Sequence, residues 1–182
     1  PPTPNDWQLI VLGEHNKDNA ALAALALRQL GLKDVAIKAG LESFAPVEGR
    51  LQKVTEIKGV TFYNDNNATT PDATIAALRS LEQPVILVAG GADKGLDTTE
   101  LVAAMHKCKK VVLLEGTGTD RITQELPNTT IYRSMADAVQ KALEFSQVGD
   151  VILFSPAFAS FGMFKNEYDR GDQFLAAVQK LQ

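Results

Sequence analysis

Three short runs built only of apolar residues set the strongest limit on how this chain can fold: Val85-Ile86-Leu87-Val88, Val111-Val112-Leu113-Leu114 and Val151-Ile152-Leu153-Phe154. A strand with one face in water alternates apolar and polar side chains, so a run without a polar position has to be buried on both faces. Between these runs lie stretches with helical spacing. One reaches from Pro71 to about Leu81, one from about Thr98 to Lys107, and a short one follows Gly118. Ser134 and Asp137 open another that ends near Phe145, and the last carries Phe174, Leu175, Val178 and Leu181 on one face. Thr129 to Tyr132 adds a short strand. Buried strands alternating with helices predict an α/β fold: a doubly wound, mainly parallel sheet covered on both faces. Leu51–Ile57 and Val60–Tyr63, joined by Lys58-Gly59, predict a tight hairpin that adds an antiparallel pair at the start.

Upstream the texture differs. Pro1 to Asp6 is proline-rich and reads as extended, and Gln8 to Leu12 as a short apolar strand or run. Ala20 to Leu30 is almost pure Ala and Leu, with Gly31 where a helix-ending glycine belongs. A helix so apolar predicts packing on more than one face. A second helix is expected from Asp34 to Phe44, and Pro46 with Gly49 marks a boundary. The division is therefore a short helical tail over 1–48 and an α/β domain over 49–182. At 182 residues and 45% apolar the chain can bury a core, and a net charge of -4 offers no field for nucleic acid. One cysteine, Cys108, excludes an internal disulfide and a cysteine-based zinc site. Without a long apolar run or a leader the chain reads as soluble and cytoplasmic, with no membrane partner. It opens without an initiator Met and so reads as a piece of a longer protein.

Several stretches carry candidate chemistry. Phe62 to Asp72 runs from an apolar strand through a polar loop to Thr70, a good helix N-cap, and Pro71, suited to the first helical position. A polar loop between a strand end and a helix N-terminus is where open α/β sheets bind ligands, anions above all. In Gly90-Gly91-Ala92-Asp93-Lys94-Gly95 the paired glycines allow close backbone approach or an anion-binding nest, and Lys94 brings a mobile charge. A plain turn is the other reading. Gly116-Thr117-Gly118 lacks the third glycine of a dinucleotide fingerprint and is better read as a strand-to-helix turn. His15, Asn16 and Asn19 cluster before the Ala/Leu helix. An Asn amide matches the N6 and N7 edge of adenine, while Asn16 as a helix cap is the simpler alternative. Ser155-Pro156-Ala157-Phe158-Ala159-Ser160-Phe161 follows the last buried strand without a nucleophile elbow. Lys165, Asn166, Glu167, Asp169 and Arg170 crowd the same region as Phe158, Phe161, Phe164 and Tyr168, the mixture of a pocket wall.

Together, three of these stretches resemble one family. Gly13-Glu14-His15-Asn16-Lys17-Asp18-Asn19-Ala20 is similar to the His-Asn-x-x-Asn signature of the ATP-dependent Mur ligases, and Tyr63-Asn64-Asp65-Asn66-Asn67-Ala68-Thr69 to their Asn-Asp-x-x-Ala-Thr loop. Ser155 to Phe161, with Phe164-Lys165-Asn166 and Arg170-Gly171, looks most like the branch that adds D-glutamate. The resemblance implies a three-domain enzyme, with residues 1–48 ending its central ATPase domain and 49–182 forming its C-terminal, amino-acid-binding domain. It implies ATP, Mg2+, UDP-N-acetylmuramoyl-L-alanine and D-glutamate as ligands, peptidoglycan synthesis as the process, and a monomer. The metal ligands and phosphate loop of the family lie upstream, so no catalytic or metal residue is expected here and the chain alone should be inactive. By the same resemblance Asn16 and Asn19 contact adenine, and Arg50 and Asp65 the ribose. Thr69, Lys94, Ser160 and the backbone N–H of Phe161 hold the carboxylates of D-glutamate. Two positions depart from the pattern. Asn67 stands where many members have a lysine, and Glu167 where some have an aromatic residue; a carboxylate there needs a cation such as Lys165 or Arg170 beside it. Rival readings are a non-catalytic nucleotide- or carboxylate-binding module and a folylpolyglutamate-type ligase.

Overall fold

The computed structural model describes residues 6–127 and 129–182. The extended start expected over Pro1–Asp6 lies, apart from Asp6, outside them. The chain divides into two compact units, one ending at Val47 and one running Glu48–Gln182.

The first unit holds α1 (Glu14–Gln29) and α2 (Asp34–Glu42). Helix α1 starts six residues before the Ala/Leu run. Gly13, at φ +95°, occupies the cap position, so Asn16 is not the cap. It stands in the first turn and donates from Nδ2 back to Leu12 O at 2.7 Å. At the other end Gly31, at φ +85°, lets its N–H reach Arg28 O and that of Leu32 reach Leu27 O, satisfying two carbonyls the helix leaves open. Only Ala20, Ala21 and Ala24 of α1 are buried, while Leu22 and Leu25 are exposed. Packing on several faces is not what the described residues show: the small side chains give the close contact and the leucines fall outside it. Gln8 to Leu12 is not a strand.

The second unit is built on six strands: β1 (Gln52–Ile57), β2 (Val60–Asn64), β3 (Val85–Ala89), β4 (Lys110–Leu114), β5 (Ile131–Tyr132) and β6 (Val151–Phe154). They lie in the order β1-β2-β6-β3-β4-β5. Only β1 runs antiparallel to its neighbour. Its link to β2 is the two-residue turn, with Lys58 at φ +51° and Gly59 at φ +76°, the double left-handed geometry that matches strand twist. Strands β3 and β6 are buried at every position, as their unbroken apolar runs require. Five more helices cover the sheet: α3 (Pro71–Arg79), α4 (Thr99–Met105), α5 (Thr117–Ile122), α6 (Met135–Phe145) and α7 (Glu167–Gln179).

Alternation within each strand sorts the core into two layers. Ile86, Val88, Val112, Leu114, Ile152 and Phe154 meet α6 and α7, where Phe154 stacks on Phe174 with ring centroids 4.7 Å apart. Leu87, Ala89, Leu113 and Leu153 point the other way, onto Ile75 of α3, Leu101 and Met105 of α4, and Ile122 of α5. The sheet is doubly wound, as the sequence predicts. Two helix starts differ in detail. Thr70 takes the cap position of α3 without its side chain bonding the helix. Helix α4 has Thr98 at its cap position, and the Asp97 carboxylate before it accepts from Thr99 N and Oγ1.

Candidate functional site

Parallel strands β2, β3 and β6 all end on the same edge of the sheet, and the loops that follow them meet there. Asp65 N donates to Phe154 O at 2.8 Å, Ala157 N to Ala68 O at 2.9 Å, and Gly90 N to Pro156 O at 2.9 Å. Ala92 and Ala159 exchange two backbone hydrogen bonds of 2.9 and 3.0 Å, an antiparallel bridge between loops that follow parallel strands. The three polar tips singled out in the sequence are thus one cluster. Within it Lys94 Nζ donates to Thr69 Oγ1 at 2.8 Å. Ser160 follows the bridge residue Ala159 and is buried; Phe161, next along, is exposed.

The paired glycines have a use other than a nest. A Cβ on Gly90 would stand 2.3 Å from Leu114 O, and one on Gly91 2.3 Å from Ala159 O. Protein backbone, not ligand, fills that space. Gly116-Thr117-Gly118 serves the same loop. Thr117 Oγ1 accepts from Asp93 N at 3.0 Å, and Gly118 N donates to Gly91 O at 2.9 Å. Its Cα faces the Phe158 ring so closely that a Cβ would lie 2.3 Å from Cδ1. Arg121, from α5, completes the hold by donating to Asp93 Oδ1 at 2.7 Å and Leu96 O at 3.1 Å. The Gly95 N–H and then Arg121 keep the Asp93 carboxyl below the ordinary carboxylate range. The residue before Lys94 is therefore fixed, while Lys94 itself reaches out from the loop.

Beneath the cluster lies a buried polar core. Asp65 Oδ1 accepts from Leu51 N at 3.0 Å, and its Oδ2 accepts from Ser155 Oγ at 2.8 Å. The Ser155 hydroxyl also bonds that of Thr74 at 2.9 Å, so it is tied into the buried structure. Burial pushes Asp65 up to about 6, against the pull of Ser155, Leu51 and Arg50. Arg50 reaches Asn67 O with Nη1 at 3.5 Å, and Asn67 Nδ2 donates to Glu48 O at 3.0 Å. Each Asp65 oxygen thus already accepts one internal bond.

The sequence offered Arg170 as one of a polar crowd and as a possible cation for Glu167, yet among the described residues it is the largest fully buried side chain. The signal was its register: it falls four residues before Phe174, on the apolar stripe of α7. It turns inward onto neutral acceptors and makes no contact ion pair with Glu167, whose carboxylate still acts on it through space. Asn66 was missed in the same way; it bonds Arg170 and donates from Nδ2 to Glu167 O at 2.8 Å.

In the first unit Asn16 and Asn19 line a cavity of about 220 Å³ whose other walls are apolar, among them Leu9, Val11, Leu41 and Phe44. Asn19 Nδ2 lies 3.5 Å from Asn16 Oδ1. Among the described residues no three His, Cys, Asp or Glu side chains group so as to hold a metal ion. Among the same residues no helix is long and apolar enough to cross a membrane.

Known proteins match this chain closely. The sequence profile described as "Mur ligase, glutamate ligase domain" covers residues 49–158. The UDP-N-acetylmuramoylalanine--D-glutamate ligase of Caldanaerobacter subterraneus subsp. tengcongensis is 39% identical over 180 residues, 95% of this chain and 40% of that protein. The ligase of the same name from Pseudomonas fluorescens is 41% identical over 182 residues, 96% of this chain and again 40% of the relative. The chain thus spans about 40% of the length of these curated relatives. Among solved structures, UDP-N-acetylmuramate-alanine ligase MurC of Thermotoga maritima superposes with a TM-score of 0.71 at 19% identity, over 96% of this chain and 40% of that one. Folylpolyglutamate synthase of the same organism gives 0.60 at 22%, over 92% and 40%. At such identities the structures speak for the fold.

Proposed function

Because this chain belongs to the Mur ligases, matching their glutamate ligase domain, we propose that it supplies the amino-acid-binding part of an ATP-dependent ligase joining D-glutamate to UDP-N-acetylmuramoyl-L-alanine. The observation that carries the reading is the meeting of Lys94 with Thr69 at 2.8 Å, on loops stitched by backbone bonds to the one bearing Ser160 and Phe161. One ammonium, two hydroxyls and a backbone N–H suit a dicarboxylate, since charge-assisted bonds to carboxylate are the strong ones.

In the proposed reaction a carboxylate oxygen of the sugar-linked alanine attacks the γ-phosphorus of ATP, and ADP leaves. The uncharged amine of D-glutamate attacks the acyl carbon, the C–N bond forms, phosphate departs with the bonding pair and nitrogen loses a proton. Lys94, Thr69, Ser160 and the Phe161 N–H hold both carboxylates so that the amine alone is free to approach. Water has to be kept out, because it would hydrolyse the acyl phosphate. On the nucleotide side, two amides at the rim of an apolar cavity suit adenine, which supports Asn16 and Asn19 in that role. Arg50, which reaches Asn67 O with Nη1, is assigned to the ribose on this reading. Asp65 accepts from the ribose with the lone pairs its internal bonds leave over.

The test is Lys94→Ala in the whole ligase. Losing a hydrogen bond to a charged group costs about 1.5–3 kcal/mol, so KM for D-glutamate should rise roughly ten- to a hundredfold while KM for ATP stays within about twofold. Equal rises for both ligands would sink the assignment. A panel of amino acids offered to the same enzyme separates D-glutamate from the folate-type alternative.

A further inference from the structure

Arg170 is a buried cation that the proposed reaction does not use. It is entirely shielded from solvent, and its acceptors are neutral. Nε donates to Asn66 Oδ1 at 2.7 Å, Nη2 to Asn66 O at 2.8 Å and Nη1 to Phe158 O at 3.0 Å. Two of these acceptors sit in the loop leading to Thr69, three residues before it. The third sits in the loop leading to Ser160, two residues before it. Burying a cation without a carboxylate in contact is costly, and it persists only where the surrounding geometry answers every donor. Desolvation draws its pKa down to about 10, so it keeps its proton at neutral pH.

We propose that Arg170 is a positioning residue that sets the separation of the Thr69 and Ser160 loops, and thereby the fit of the dicarboxylate amino acid. The inference rests on the reading of the site given above. A planar fork is the one side chain that can hold three acceptors on two separate segments at once. A lysine at 170 keeps the charge but radiates from a single nitrogen and cannot span them. Asn66 transmits the hold: its Oδ1 and backbone O take two of the three bonds, and its Nδ2 closes back onto Glu167 O at 2.8 Å. Gly171 lets Asn66 approach, for a Cβ there would stand 3.3 Å from Asn66 Nδ2. The helix that fills the core below thus governs the spacing of the groups above.

The experiment compares Arg170→Lys with wild type in the whole ligase, reading kcat and both KM values, with Ile86→Val as a core control on the sheet. A displacement of the order of an ångström at a binding group can cost up to about a hundredfold. We expect Arg170→Lys to raise KM for D-glutamate about tenfold or more, with KM for ATP within about twofold, and the core control to move neither. Asn66→Ala, which keeps the arginine and removes one acceptor, should shift the same KM in the same direction by less. It decides the matter should Arg170→Lys not fold. If the variants lose only thermal stability, or raise both KM values alike, Arg170 is structural and the proposal fails. If the wild-type enzyme has no use for D-glutamate, the reading of the site fails first, a result distinct from either.

Discussion

Asp65 shows how the environment of a residue escapes a reading of its type. Two short side chains flanking an acid after a strand end mark a functional loop, but burial is a property of the finished sheet and leaves no trace in the loop's composition. Its raised pKa fixes a sign. Below 3.8 the carboxyl is neutral in folded and unfolded chains alike; between 3.8 and about 6 the unfolded chain ionises first, so stability falls as pH rises. Above about 6 the penalty is constant at roughly 3 kcal/mol. Asp65→Asn keeps an acceptor for Leu51 N and a donor for Ser155 Oγ. Its melting temperature should therefore rise relative to wild type across that window and level off above it. A difference that is flat from pH 4 to 8 would show that Asp65 pays no burial penalty. At the same scale, Arg121→Ala should raise KM for D-glutamate a few-fold while barely moving a thermal melt, because a half-exposed ion pair adds little to stability. A melt that falls steeply with unchanged KM would place Arg121 in the core's service instead.

Elements were the most legible part of this chain. All-apolar runs predicted two-sided strands and Lys58-Gly59 a tight turn, so sheet, hairpin and flanking helices follow from residue pattern, although Val111 in β4 is only half-buried. What the pattern hides is contact between elements far apart in sequence. Gly116 and Gly118 look like turn glycines; their necessity comes from Gly91 and Phe158, which no local spacing reveals. Arg170 is hidden likewise, since an arginine on an apolar stripe has no meaning until Asn66 and Phe158 are brought to it. The packing of α5 gives a prediction. Gly118→Ala forces a methyl into the Phe158 ring and should destabilise the fold by about 1–3 kcal/mol in urea unfolding, the cost of overpacking. A stability equal to wild type would mean that the ring swings aside freely.

For the whole molecule, burial is unevenly shared between the two units. Every residue of β3 and β6 is buried, whereas α1 buries three alanines and α2 only Ile37. Opening free energy follows buried apolar contact. Hydrogen exchange should find the amides of β3 and β6 the slowest and those of α1 and α2 among the fastest. Equal protection in both units would contradict this. The backbone bridge between Ala92 and Ala159 also reaches beyond this protein. Since each of those loops is templated on the other, a segment borrowed from a relative to alter amino-acid preference would arrive without its mate. Retuning such a ligase means transplanting both strips together, or neither.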